Sequence, residues 1–280
     1  MKVFEKLKKE NGSRVVYFCG IKICSYKKCQ STKKIYNKYL SLFNEASWEC
    51  NKDASGYTIT KDNFKVFGEA DNTLWTGYAV LCQDEYAFFD ANDSYIMIDI
   101  GLNLGFSSLK LATREHIKCI YGFEPFVPTF KLAEKNLSFN PDLSQKINIF
   151  NFGLSNENKT AEIHYNPDLP GSMSSVQDRF KDSKNVETIE LKSASEVLKP
   201  ILEKHNEKVF VKIDCEGAEI EILPDLETSG LLKKVDLIIM EWHFGNYKQI
   251  IDILTRNDFL VTCRYTANDT GMITAFKKSK

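Results

Sequence analysis

Asp99, Gly101, Asn103, Gly105 and Ser107 fall within nine residues, DIGLNLGFS, at the end of the apolar run YIMIDI. A buried strand that ends in glycines and opens into a helix presents backbone N–H groups to a ligand. Gly101 permits a tight turn, and Gly105 permits close approach of helix and ligand. Asn103 is placed to bridge the loop backbone or touch the ligand. Asp99 is placed to bind an ammonium group or order the loop, and Ser107 to cap or begin the helix. The Gly-Lys-Ser/Thr of a Walker A loop is absent. So is the middle glycine that admits a pyrophosphate, which points to a cofactor without one. Glu124, in YGFEP, closes the next apolar run 23 residues after Gly101. A carboxylate at that point can accept both hydroxyls of a ribose.

A second group lies further along, in VKIDCEGAE, with Lys212, Asp214, Glu216 and Glu219, and in EWH, with Glu241 and His243. Both follow apolar runs, and open α/β sheets bind ligands at the carboxyl ends of their strands. These acids can hold substrate hydroxyls, deprotonate one, or bind a metal. Carboxylates alone do not specify a metal, and metal-independent chemistry is the expectation. An imidazole titrates near neutrality, so His243 is the first candidate for a general base and Asp214 the second. Glu216 is assigned to neighbouring substrate hydroxyls. Lys212, Glu219 and Glu241 are further substrate-binding candidates. His116, His164 and His205 make no zinc spacing, and no serine occupies a GxSxG elbow.

The elements that must position these residues read as alternating strands and helices. Strands are expected at 95–100, 117–123, 146–152, 208–214, 235–242, 258–265 and 271–277. Helices are expected near 106–114, 127–138, 194–205, 216–224 and 246–256. Continuous apolar strands between helices specify a mostly parallel sheet covered on both faces. Before it, residues 1–10 read as a short basic helix, and SRVVYFCGIKICSYKK as a hairpin or amphipathic piece turning at Gly20. Residues 31–48 have helical spacing, 49–70 are polar and turn-rich, and the aromatic stretch 71–90 reads as a cap or lead-in. The expected domains are therefore a basic extension at 1–90 and a catalytic domain at 91–280.

The 280 residues are 43% hydrophobic and 27% charged, enough to bury a core. The net charge of −1 argues against a nucleic-acid partner. That charge is unevenly spread: residues 1–38 hold eleven Lys/Arg and two Glu, 11 − 2 = +9, so the remainder carries −1 − 9 = −10. A basic arm on an acidic body suggests docking to anionic membrane lipid, an acidic partner or an acidic polymer. Cys19, Cys24 and Cys29, spaced by five, match no zinc pattern, and the other cysteines sit singly. Free thiols, no long apolar run and no leader-like start make the cytoplasm, with a peripheral place at the inner membrane face, the expected location.

In DIGLNLGFSS, YGFEP, NFGLS at 151–155, KIDCEGAE and IIMEWH, occurring in this order across roughly residues 92–278, the chain resembles the FkbM-type methyltransferase family. The resemblance implies a class I, Rossmann-like methyltransferase fold that binds S-adenosylmethionine and usually methylates an oxygen. Asp99, Gly101, Asn103, Gly105 and Glu124 would line the cofactor site, and Asp214, Glu216 and His243 the reacting site. Residues 15–28, VVYFCGIKICSYKK, look like openings of some bacterial surface-polysaccharide enzymes. Polysaccharide assembly proteins are accordingly a further expected partner of residues 1–38. This directs the expected acceptor toward a sugar, sugar nucleotide or glycan, as in capsular polysaccharide biosynthesis. The alternatives are a nucleotide-dependent oxidoreductase and a non-catalytic Rossmann-like module in polysaccharide assembly.

Overall fold

The computed structural model describes residues 4–8, 13–18, 21–27, 32–88, 93–166, 173–177, 180–267 and 269–278, with side chains from Tyr36 onward. Two compact units divide at Ser41/Leu42. In the first, β1 (Phe4–Lys8), β2 (Ser13–Phe18) and β3 (Ile21–Lys27) form an antiparallel sheet in sequence order. Helix α1 (Thr32–Glu45) follows and runs across the division. The hairpin of β2 and β3 matches the sequence reading, though Gly20 lies outside the described residues. The helix expected at 1–10 is instead β1. A ten-residue helix is too short to nucleate well alone, whereas a strand here pairs along its whole length with β2.

The second unit opens with β4 (Glu49–Lys52), β5 (Tyr57–Lys61) and β6 (Phe64–Gly68), where a turn-rich stretch was expected. Cys50, Tyr57, Ile59, Val66 and Phe67 point inward, while the intervening polar residues face out and mask the strands in the sequence. Helix α2 (Asn72–Gly77) runs into a π-helical turn, Tyr78–Cys82. The contacts group residues 42–88 with the large sheet, and the two compact units divide at 41/42. Two buried asparagines explain the attachment, as described below.

The main sheet follows, with β7 (Tyr95–Ile100), α3 (Phe106–Ala112), β8 (Ile117–Phe123), α4 (Val127–Ser138), α5 (Pro141–Ser144) and β9 (Ile147–Phe150). A side sheet comes next, from β10 (Gly153–Ser155), β11 (Lys159–His164) and β12 (Val186–Ser193) in the order β10-β12-β11. Sequence reading missed it because Lys/Glu alternation in β11 and β12 leaves one face in water. The chain continues through α6 (Ala194–Lys204), β13 (Lys208–Ile213), α7 (Glu219–Thr228), a 3₁₀ turn at Leu231–Lys234, β14 (Leu237–Trp242), α8 (Tyr247–Arg256), β15 (Phe259–Tyr265) and β16 (Gly271–Lys277). Their order is β15-β16-β14-β13-β7-β8-β9, with β16 antiparallel to both of its neighbours.

The central strands are buried throughout; all six residues of β7 are. Ile96, Ile98, Val209, Val211, Ile238 and Met240 pack with Leu198, Ile222 and Ile253 of the covering helices. In α8, Ile250, Ile253 and Leu254 recur at three- and four-residue intervals and form its buried stripe. Helix α6 is capped by Ser193, whose hydroxyl accepts from the Glu196 amide at 3.3 Å.

On the near side of the sheet, Asn136 and Asn140 of the α4 region are fully or nearly fully buried. Asn136 Oδ1 accepts from the Phe67 amide (2.7 Å), and its Nδ2 donates to the carbonyls of Phe67 (3.0 Å) and Leu104 (2.9 Å). Asn140 repeats the arrangement on Lys65, with Oδ1 accepting from its amide and Nδ2 donating to its carbonyl. The two amides satisfy alternate residues of β6 as a neighbouring strand would.

Candidate active site

The carboxyl ends of β7, β8, β13 and β14 converge on two adjoining cavities. The loop after β7 turns through Gly101 (φ 82°) and Asn103 (φ 52°) and reaches α3 through Gly105 (φ 77°). Gly101 is obligatory: a Cβ there would meet the Asp214 carbonyl oxygen at 1.7 Å. That close approach joins the loops after β7 and β13, and the Asp214 amide donates to the Ile100 carbonyl at 2.9 Å.

Beneath the loop, parallel register sets Lys212 beside Asp99. Asp99 is fully buried, 3.0 Å from Lys212 Nζ, and accepts from the Ser107 and Ser108 hydroxyls at 2.9 and 2.6 Å. Lys212 also donates to the Gly101 carbonyl. Burial opposes its charge, but Asp99 and Asp214 outweigh burial and raise its pKa. Asp99 therefore orders the loop, the second of its two expected roles, and touches neither cavity. Ser107 lines the larger cavity but does not cap α3; its hydroxyl is spent on Asp99, and Gly105 holds the N-cap position. Gly105 also lines neither cavity. Its left-handed turn passes the chain over Ala133 and Leu137 of α4.

The narrower cavity, of about 70 Å³, is lined by Gly101, Asn103, Glu124, Phe126 and Leu191 among others. Glu124 Oε2 accepts from the Asn103 amide at 2.9 Å and Oε1 from the Phe126 amide at 3.0 Å. Each oxygen keeps a lone pair for a ligand. Burial pushes the Glu124 carboxyl up to about 7, against the pull of those two amides. Asn151, from NFGLS, donates to the Glu124 carbonyl at 2.9 Å and fixes the strand end.

The wider cavity, of about 310 Å³, has Glu85, Asp214, Glu216 and Glu241 around it, with Trp75 and Tyr86 on the lead-in side. Asn103, Asp214 and Glu216 line both cavities. Tyr86 donates to Asp214 Oδ2 at 2.9 Å and Thr270 to Glu241 Oε1 at 2.7 Å. Burial, then the Asp214 charge, pushes Glu241 up to about 6 and raises Glu85 as well. Sequence reading expected a cap from the aromatic stretch 71–90; it did not identify Tyr86 and Glu85, whose signal was only that clustering.

His243 is 4% exposed and lines neither cavity. It is gripped by Glu219 Oε1, 3.3 Å from Nδ1, and by Glu216 Oε2, 3.7 Å from Nε2. Burial opposes its charge, but Glu219, Asp214 and Glu216 hold its pKa at about 9. A general base must start deprotonated, and these carboxylates favour the protonated ring. Glu219 is fully buried and accepts from the amides of Gly217 (2.9 Å) and His243 (2.7 Å). It clamps the loops after β13 and β14 together and, though a substrate-binding candidate from the sequence, lines neither cavity. Helix α7 accordingly starts at Glu219 and not at 216, because Glu216 (φ 51°) and Gly217 (φ 107°) are left-handed. Non-glycine residues in that region, here Asn103 and Glu216, concentrate at functional sites.

This strand order, with one antiparallel strand and ligand-facing loops at the carboxyl ends, is that of a Rossmann-like class I methyltransferase. The family model for the methyltransferase FkbM domain matches residues 99–261, more than half the chain, and the chain belongs to that family. It is 26% identical over 209 residues to the methyltransferase sdnD of Sordaria araneosa, covering 64% of this chain and 80% of that protein. It is 25% identical over 212 residues to the AMB antimetabolite synthetase AmbE of Pseudomonas aeruginosa, covering 61% of this chain and a tenth (10%) of that protein. Among solved structures, a methyltransferase FkbM from Methylobacillus flagellatus KT aligns with TM-score 0.43 at 14% identity, over 85% of this chain and 59% of that one. The human methyltransferase 10 domain containing protein aligns with TM-score 0.42 at 13% identity, over 88% and 96%.

Proposed function

We propose that the chain is an S-adenosylmethionine-dependent O-methyltransferase whose acceptor is a hydroxyl of a sugar or a bacterial surface glycan precursor. The observation that carries this reading is the wall shared by the two cavities, Asn103, Asp214 and Glu216, between the Glu124 cleft and the acid-lined cavity. The residues present fit the cofactor. Glu124 offers lone pairs for a ribose, the buried Asn103 Oδ1 has no hydrogen-bond partner, and no glycine makes room for a pyrophosphate. When bound, S-adenosylmethionine supplies a methyl group on a cationic sulfur; the acceptor oxygen gains the C–O bond, the S–C bond pair stays on a neutral thioether, and the hydroxyl proton passes to the protein.

Asp214 and Glu216, lining both cavities, are the groups placed to take that proton. Trp75, 40% exposed on the cavity wall, offers a flat face to the apolar side of a sugar ring. Carboxylates suit paired sugar hydroxyls, which donate to them. The basic segment 1–38 is proposed to hold the enzyme at an anionic membrane surface.

Calorimetry with S-adenosylhomocysteine, set beside NAD, tests the cofactor assignment. The demethylated product should bind more tightly than NAD, and Glu124→Ala should cost about 1–3 kcal/mol of that affinity. Tighter NAD binding, or an indifferent Glu124 variant, would overturn the reading in favour of a dinucleotide enzyme. Methyl transfer to candidate sugar nucleotides and glycans then tests the acceptor.

A further inference from the structure

The larger cavity has an imbalance of charge that its wall does not resolve. Four carboxylates line it, from Glu85, Asp214, Glu216 and Glu241. Lys212 is the one lysine or arginine among the lining residues, and its ammonium is turned to Asp99 and the Gly101 carbonyl. Sheet geometry brings two of the acids together. Strands β13 and β14 are parallel with Ile213 opposite Met240, so the next residues, Asp214 and Glu241, leave the sheet side by side. Two residues on, the chain places His243 behind them. One carboxylate oxygen from each acid and one ring nitrogen of His243 all lie within 4.8 Å of one another. Small side-chain rotations close such separations onto a single ion.

A second observation sets this group apart from a cluster of acids. The His243 side chain is 5% exposed and has a carboxylate on each side, Glu219 Oε1 3.3 Å from Nδ1 and Glu216 Oε2 3.7 Å from Nε2. A buried imidazole behind two cavity-lining carboxylates is a ligand set, and the cavity gives an ion its path to it. Glu219 then has the place of an outer partner, holding the ring from the far side and the His243 amide at 2.7 Å.

We infer that Asp214, Glu241 and His243 form a divalent-cation site at the floor of the acceptor cavity. This deepens the proposed function: an ion there would bind vicinal hydroxyl oxygens of the acceptor and fix which of them faces the cofactor cleft. Two hard oxygens and one imidazole suit Mn²⁺, which accepts both donor types; pure oxygen cages suit Mg²⁺ and Ca²⁺, and thiolates are absent from the group. The ligands come from two strands, 27 residues apart between Asp214 and Glu241, so no short spacing in the sequence displays them.

The test is Mn²⁺ binding to the full chain, followed by the electron paramagnetic resonance signal of free Mn²⁺ and by calorimetry, with no acceptor or methyl donor present. One tight site per chain is expected. Glu241→Gln and Asp214→Asn, each nearly isosteric, should each weaken it by at least roughly 10-fold, since even outer-shell changes cost about 10–100-fold. Binding of S-adenosylhomocysteine, measured on the same variants, should survive in Glu241→Gln and shows that the fold is intact. No Mn²⁺ binding by the wild-type chain at millimolar ion would overturn the site, as would equal binding by wild type and both variants. Mn²⁺ binding without any affinity for S-adenosylhomocysteine would sink the methyl-donor reading and leave the cation site standing.

Discussion

At the scale of single residues, Glu124 has the most demanding position. It sits at the end of β8, is 6% exposed, and in its proposed role would have to be ionised to accept two hydroxyls at once. Burial pushes its carboxyl up to about 7. Below that pH the protonated group loses acceptor capacity, and above it the full capacity is present. Affinity for S-adenosylhomocysteine should therefore rise between pH 6 and pH 8, by up to about tenfold, the change in the ionised fraction for a group titrating at 7. Glu124→Gln should bind more weakly and lose the dependence. A flat pH profile for the wild-type chain would show that Glu124 is ionised throughout or that it does not meet the ligand. Gly101, Asn103 and Glu124 were all legible from the sequence, because a strand end, a glycine turn and an acid at fixed spacing leave a local mark. The partners of Asp99, Glu219 and His243 were not. Nothing local shows that Ser107, Ser108 and Lys212 consume one acid, or that two amides consume another.

At the scale of elements, the parallel strands were readable nearly to the residue, since burial on both faces writes an unbroken apolar run. β7 and β8 match their expected limits. β4 to β6 and β10 to β12 have one wetted face and short runs, so their alternation is diluted by turns and charges. The joint between β6 and α4 was equally hidden, because an asparagine in a helix gives no sign that its amide will serve a strand. That joint is open to measurement. Asn136→Ala would leave the Phe67 amide and the carbonyls of Phe67 and Leu104 without this partner, at about 1–3 kcal/mol for each buried group that water cannot reach. Urea unfolding should show a loss in that range or above it. A loss under about 0.5 kcal/mol, the size of an ordinary surface change, would mean that the amide does not hold the joint.

At the scale of the whole molecule, charge and architecture divide in the same place. The unit ending at Ser41 carries the +9 and the unit beginning at Leu42 the −10. No helix among the described residues is long and apolar enough to cross a membrane. Attraction to an anionic lipid surface is worth roughly 1 kcal/mol per nearby Lys or Arg and is screened by salt. Cosedimentation with phosphatidylserine vesicles should retain the full chain at low salt, release it at high salt, and fail for a chain lacking residues 1–38. Equal retention of both chains would remove this role from the basic segment. The asparagine joint has a consequence on a longer timescale. Asn136 and Asn140 grip main chain only, so the grip is indifferent to which side chains β6 carries. The wall bearing Trp75, Glu85 and Tyr86 follows that strand along the chain. Descendants of this protein are thus free to rewrite that wall one residue at a time while the glycine loop, sealed by Asp99 and Lys212, stays as inherited. Diversity among such enzymes should gather in residues 49–88, and sameness in 99–124.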